Sequence, residues 1–278
     1  MRLGVSSHTY AWAIGVPGYP PPRSPLDAFG LVRKAVALGV PVVQIADNLP
    51  LHTLTASALG ELKGLALEAH VQLEVGTAGI AEQPLLDYLQ IARDLGSPIL
   101  RTLLDVNGQK PSVEECIDRL RAVIREFEQA RVCLAIENHD RFSARTLADI
   151  IAAVASPQLG VCLDTANSLG CGEDLCTVVR ELGPWVVNLH IKDFQVTRLP
   201  HQKGFTVEGA PAGQGRLDVP DLLSMLHDRP ESTTAIVELW LSPDDDVEQT
   251  IAREDRWATE SVAYVRKCLE VASQRNSL

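Results

Sequence analysis

Leu159-Gly-Val-Cys-Leu-Asp164 is one of four apolar runs closed by a carboxylate or an imidazole in the second half of this 278-residue chain. The others are Val132-Cys-Leu-Ala-Ile-Glu137, Val186-Val-Asn-Leu-His190 and Ala235-Ile-Val-Glu238. Each is short and rich in β-branched or aliphatic residues, which reads as a strand buried on both faces, as in a parallel sheet. A charged group closing such a strand is costly unless something pairs with it. One divalent cation shared by Glu137, Asp164, His190 and Glu238 would pair with all four.

The same alternation extends through the whole chain. Strands are expected at Arg2-Ser6, Pro41-Ala46, Val71-Gly76, Ile99-Leu103, Val132-Glu137, Gly160-Asp164, Val186-His190 and Ala235-Glu238. Amphipathic segments follow them at Leu26-Leu38, Leu54-His70, Pro84-Leu95, Val113-Ala130, Leu147-Val154, a short stretch after Cys171, Pro220-His227 and Val247-Val271. Eight βα units predict an α/β fold, a closed (β/α)8 TIM barrel, in one domain spanning 1-278. A doubly wound sheet is the alternative, but no Gly-x-Gly-x-x-Gly follows the first strand.

Composition excludes several classes. A net charge of -11 argues against a nucleic-acid footprint, which is normally basic. No stretch approaches the ~18 apolar residues of a membrane span. Met1-Arg-Leu-Gly-Val-Ser-Ser7 enters a strand-like run at once, without the pattern of a signal peptide. The six cysteines form no Cys-x-x-Cys pair, and Cys133 and Cys162 fall inside apolar strands as small hydrophobes. Together these point to a cytoplasmic protein with reduced thiols and no structural zinc.

In a barrel, Glu137, Asp164, His190 and Glu238 would converge from the last four strands at the C-terminal mouth, where active sites lie. Three oxygen donors and one imidazole suit Mn2+, Mg2+ or Co2+ better than a closed thiolate zinc site. Two long loops would emerge at the same end: Gly15-Val-Pro-Gly-Tyr-Pro-Pro-Pro-Arg23 after the first strand, and Lys192 to about Gly215 after the seventh. Such loops are often lids; the first reads equally well as a surface or subunit contact.

Ala135-Ile-Glu-Asn-His139, Cys162-Leu-Asp-Thr-Ala-Asn167, Asn188-Leu-His-Ile-Lys-Asp193, Gly213-Gln-Gly-Arg-Leu-Asp218 and Ile236-Val-Glu-Leu239 resemble the xylose-isomerase-like TIM barrels. That superfamily includes sugar isomerases and epimerases, inosose dehydratase and endonuclease IV. The resemblance implies that Glu137, Asp164, His190 and Glu238 bind the metal. It also implies that Glu137 and Glu238 act as acid and base on opposite faces of a ketose. A metal holding a carbonyl and its neighbouring hydroxyl would stabilise an enediolate, with the glutamates moving the proton.

One departure stands out: Asp164-Thr-Ala-Asn167 has asparagine where many relatives have a histidine that contacts substrate. Asn167 can hydrogen-bond substrate but cannot carry a proton. Lys192, Arg198 and His201 (with Lys203) offer cations for a substrate carboxylate or phosphate, or simply solvate the loop. His8 and Trp12, with Tyr10, could wall a sugar face, core packing being the alternative for Trp12. Glu74 could orient substrate and His139 could support Glu137.

The leading expectation is a divalent-metal-dependent isomerase or epimerase acting on a small ketose or keto-sugar acid. The alternative is a decarboxylase of a 3-oxo sugar acid. Trp12-Ala-Ile-Gly-Val-Pro-Gly-Tyr19, Gln44-Ile-Ala-Asp-Asn-Leu49 and Asp164-Thr-Ala-Asn167 resemble the 3-oxo-isoapionate decarboxylase branch. Dehydration ranks third. A DNA-repair activity like that of endonuclease IV is disfavoured, because Asp47, Thr77 and Asp105 stand where further metal-binding histidines would be needed. The expected partner is a small carbohydrate, with no nucleic acid and no membrane, and a homo-oligomer is left open.

Overall fold

Strands with no polar face are stable only when both faces are covered, and this chain covers them by closing the sheet and ringing it with helices. The computed structural model describes residues 1–105, 108 and 110–275. The barrel strands are β1 (Arg2–Ser6), β2 (Val42–Ile45), β3 (Gln72–Gly76), β4 (Ile99–Thr102), β5 (Cys133–Glu137), β6 (Leu159–Asp164), β7 (Val186–Ile191) and β10 (Thr234–Val237). All neighbours are parallel, and β10 closes the ring between β7 and β1. The protein is a single TIM barrel.

The loop expected after the seventh strand instead holds an antiparallel hairpin, β8 (Asp193–Arg198) and β9 (Phe205–Ala210). Its base is tied down by Asp193, whose carboxylate accepts from the backbone N–H groups of Gly213, Gly215 and Leu217 at 2.9–3.0 Å. A Cβ on Gly215 would stand 2.1 Å from the Asp193 carboxylate, so only glycine fits there.

The outer helices are α1 (Ala11–Ile14), α2 (Ala28–Leu38), α3 (Ala56–Glu68), α4 (Glu82–Leu95), α5 (Val113–Ala130), α6 (Ala144–Val154), α7 (Leu175–Leu182), α8 (Val219–Met225) and α9 (Val247–Arg275). Their starts follow local chemistry. Ser112 and Glu115 form a reciprocal cap on α5, which buries Cys116, Leu120, Val123 and Phe127 on one stripe. Ser143 caps α6, which therefore begins three residues before the expected Leu147. The short α1 was not expected; buried Glu254 of α9 accepts its Trp12 and Ala13 N–H groups at 2.9 and 3.0 Å. Truncating a fully buried core residue such as Leu134 to alanine would cost about 2–5 kcal/mol. Among the described residues, no helix is long and apolar enough to cross a membrane.

The barrel interior is polar at its waist, where layers of branched apolar side chains are usual. Ser6, Gln44 and Glu74 lie side by side in register on β1, β2 and β3. Asn188 and Thr234 face them from β7 and β10, and all five are fully buried. This layer carries the site above it.

Candidate active site

Glu137 and Asp164 end β5 and β6, His190 is the penultimate residue of β7, and Glu238 directly follows β10. Strand alternation then sends their side chains to one point at the mouth. All four are at most 3 % exposed. His190 Nδ1 lies 3.4 Å from Glu238 Oε1, 3.5 Å from Glu137 Oε2 and 4.0 Å from Asp164 Oδ2. Among the described residues, His190 Nδ1 has no hydrogen-bond partner.

Neighbouring groups fix this arrangement. His190 Nε2 meets Gln44 Oε1 at 2.7 Å, and the Ser6 hydroxyl donates to Glu238 Oε1 at 2.8 Å. Asn138 clamps β5 to β6, donating to the Asp164 carbonyl at 2.9 Å and accepting from the Asp164 N–H at 2.7 Å. Asp164 Oδ1 accepts from the N–H groups of Ala166 and Asn167, which leaves Oδ2 aimed at the cluster. Asn167 Nδ2 donates to Glu137 Oε1 at 2.8 Å.

Two permanent cations reach the same carboxylates. Lys192 Nζ stands 2.8 Å from Asp164 Oδ2 and 3.1 Å from Glu238 Oε2. Arg101, buried on β4, pairs with Glu137 through Nε and with Asp47 through Nη1 at 2.8 Å. Burial works against the charge on Glu137, but Arg101 first, and Lys192 further off, outweigh it and hold the carboxyl below its ordinary value. For Glu238 burial is likewise outweighed, with Lys192 at 3.1 Å and Arg101 as its permanent cations, and the lowering is larger.

The fit of a divalent cation follows from this inventory. Asp47, Glu137, Asp164 and Glu238 bring four negative charges and Arg101 and Lys192 two positive ones, leaving an excess of two. A buried imidazole nitrogen without a hydrogen-bond partner, His190 Nδ1, faces this excess, with Asp164 Oδ2 beside it held by Lys192 alone, as metal donors would. Donor atoms of Asp164, His190 and Glu238 lie within 4.8 Å of one another, as do those of Glu137, Cys162 and His190. Burial pushes the Cys162 thiol well up, and it donates to Asn188 Oδ1, so Cys162 packs rather than ligates.

The other expected site residues scatter. His8 Nε2 lies 3.6 Å from Asp47, and His8, Trp12 and Lys192 line one cavity of about 410 Å³. Trp12 is nearly buried, donating its indole N–H to the Leu241 carbonyl at 3.0 Å. Tyr10 is fully packed away from this wall. A second cavity, of about 270 Å³, opens beside Glu137. His139 is exposed and pairs with Asp140 at 2.6 Å, not with Glu137. Glu74 does not reach the mouth; it sits in the waist layer, accepting from Gln44. Arg198 lies out on the hairpin, stacked on Phe205 with Nη1 on the Gln202 carbonyl, and His201 is exposed in the turn. Five residue steps along antiparallel strand put Arg198 about 17 Å beyond Asp193.

The residues missed in the sequence are Arg101, Gln44, Ser6 and Asn138. Arg101 in Ile99-Leu-Arg-Thr-Leu-Leu104 and Gln44 in Val42-Val-Gln-Ile45 carry the same signal, a lone polar residue inside a doubly buried strand.

This barrel, with acidic and imidazole groups ringed at its mouth, is that of the xylose isomerase-like TIM barrel family, whose profile matches residues 32–268, and the chain belongs to that family. Over 267 residues it is 33 % identical to 3-oxo-isoapionate decarboxylase of Pectobacterium atrosepticum, covering 95 % of each protein. Among solved structures it is similar to D-psicose 3-epimerase of Clostridium cellulolyticum H10 with D-tagatose, with TM-score 0.74, 19 % identity, and 97 % and 99 % of the two chains covered. It is also similar to a xylose isomerase-like TIM barrel protein of Mycobacterium smegmatis in complex with magnesium, with TM-score 0.71, 14 % identity, and 98 % and 97 % covered. The chain is a sugar-processing enzyme of this superfamily, of the isomerase, epimerase or lyase type.

Proposed function

We propose that the protein is a cytoplasmic decarboxylase of a small 3-oxo sugar acid, dependent on one divalent cation. Glu137, Asp164, His190 and Glu238 would hold the cation, in keeping with the two-charge excess and the unpartnered His190 Nδ1 that faces it. When bound, the cation would supply Lewis-acid stabilisation of negative charge on substrate oxygens.

The observation that carries the reaction type is the state of Glu137. Its Oε2 accepts from Arg101 and its Oε1 from Asn167, and neither a guanidinium nor an amide can take a proton away. Epimerisation needs a carboxylate on each face of the substrate, free to take and return a C–H proton. Glu137 is engaged as an acceptor on both oxygens and suits a ligand better than a base. Decarboxylation makes no such demand. The C–C bond to the carboxylate breaks, its electron pair moves through the adjacent carbon to the carbonyl oxygen, carbon dioxide leaves, and one proton returns to carbon. Lys192 offers that proton at the edge of the cluster; burial opposes its charge, but Asp164 and Glu238 outweigh burial and keep it an ammonium. The 33 % identical decarboxylase relative supports the same reading.

The second reading is an isomerase or epimerase with Glu238 as its base, favoured by the placement of Glu238 across the cluster from Glu137. NMR in D2O separates the two, using protein loaded with Mg2+, Mn2+, Co2+ or Zn2+ (spectra of Mn2+ samples recorded after exchange to Mg2+) and panels of 3-oxo sugar acids and ketoses. Loss of the carboxylate carbon together with gain of one deuteron is expected. Deuterium entering an intact skeleton would replace decarboxylation by isomerisation.

A further inference from the structure

Glu74 is fully buried in the middle of β3, below the acidic cluster, and the chemistry proposed above does not use it. Three amide N–H groups reach its carboxyl, beside the Thr234 hydroxyl. Gln44 Nε2 donates to Oε2 at 3.1 Å, Asn188 Nδ2 to Oε2 at 3.3 Å, and Gln72 Nε2 to Oε1 at 3.4 Å. A carboxylate only accepts, so it turns the nitrogen ends of these amides toward itself. The second proton on Gln44 Nε2 goes to Asn188 Oδ1 at 3.0 Å, and the second on Asn188 Nδ2 goes to Thr234 Oγ1 at 2.7 Å. Reversing Gln44 would set its oxygen against Glu74 Oε2 and Asn188 Oδ1, acceptor against acceptor in a buried layer.

With its nitrogen committed, Gln44 has only Oε1 to present to His190 Nε2, 2.7 Å away. An oxygen there calls for a proton on Nε2. The neutral imidazole then carries its lone pair on Nδ1, the atom that faces Glu137, Asp164 and Glu238 without a hydrogen bond. We infer that Glu74, acting through Gln44, is a positioning residue that selects the His190 tautomer able to bind a divalent cation through Nδ1. The inference rests on the metal-dependent reading and extends it to a residue two contacts from the metal donors. Burial pushes the Glu74 carboxyl up to about 7, with Thr234, Gln44, Arg2 and Gln72 opposing, so the orienting charge is held at a cost in stability.

Two variants test this. Gln44→Met removes the acceptor for His190 Nε2, and Glu74→Gln lets the amide chain run in either direction. Titration of metal-free protein with Mg2+ should show affinity lower by about 10–100-fold in Gln44→Met and about tenfold in Glu74→Gln. The 15N shifts of the His190 ring in metal-free protein should report the Nε2–H tautomer in the wild type and a mixture or its reverse in both variants. Thermal stability at pH 8 should be higher in Glu74→Gln, a direction that general damage to the fold cannot produce. Wild-type Mg2+ affinity and tautomer in both variants would overturn the inference, as would an imidazolium or an Nδ1–H tautomer in the wild type. If the wild type binds no Mg2+, Mn2+, Co2+ or Zn2+, the metal-dependent reading fails, while the tautomer measurement still decides whether Glu74 directs His190.

Discussion

Glu74 at the barrel waist and Glu137 and Glu238 at its mouth are all exposed by 3 % or less, yet their carboxyls move in opposite directions. At the waist, the carboxylate meets amides and a hydroxyl, and burial prevails, raising it to about 7. At the mouth, the same burial is overcome by charged neighbours, Arg101 and Lys192 among them, and both glutamates are held below their ordinary value. Depth of burial does not set the charge state; the presence of counter-ions does. The waist is therefore suited to orient, and the mouth to gather charge for a cation and a substrate.

The largest break in this comparison is Glu238→Gln, which removes one mouth carboxylate while keeping its volume. Turnover should fall by about 10²–10⁴-fold with the circular dichroism spectrum unchanged; full activity would remove Glu238 from the chemistry. Arg101→Met comes next. It strands Glu137 without its guanidinium, and chemical denaturation should show a loss of about 3–5 kcal/mol. Added Mg2+ should restore part of that loss, whereas equal losses with and without Mg2+ would mean that Glu137 has no cation to share.

The waist carries a smaller effect with its own pH dependence. Glu74 rises from 4.5 to about 7 on folding. Between those values the folded protein keeps a proton that the unfolded chain has released, so this group lowers stability as pH rises through that window. Glu74→Gln should remove the slope, gaining up to roughly 3 kcal/mol over wild type above pH 7 and little at pH 4.5. A gain independent of pH would mean that Glu74 is not the titrating group. The smallest effect is expected on the hairpin. Arg198→Ala and His201→Ala should leave stability within about 0.5 kcal/mol and the substrate KM within about threefold, the latter following from the roughly 17 Å between the hairpin tip and its base. A tenfold rise in KM would show that β8 and β9 fold down over the substrate.

The eight barrel strands were legible because doubly buried strands read as continuous apolar runs, and their carboxylate and imidazole ends stood out against that background. The hairpin was not read. Its alternating residues, Phe194, Val196, Phe205 and Val207 among polar ones, fall in a stretch rich in cations, and the composition read as a loop. Arg198 and His201 were grouped with the mouth because sequence proximity to His190 carries no distance. Gln44 and Arg101 were overlooked for the opposite reason: their partners Glu74, Asn188, Asp47 and Glu137 lie on other strands, and a lone polar residue gives no sign of which neighbour will satisfy it.

The sequence by itself determined the repeated βα pattern, hence the barrel, and the set of residue types at the strand ends, because periodicity and residue chemistry are local properties. Tertiary structure decided which of those groups meet, that Glu137 is held by Arg101 and Asn167, and which way the Gln44 amide faces His190. Those outcomes depend on the closure of the ring, which sets β2 against β3 and β7 against β10 in one register and joins residues as far apart as Ser6 and Glu238, 232 positions, through single hydrogen bonds.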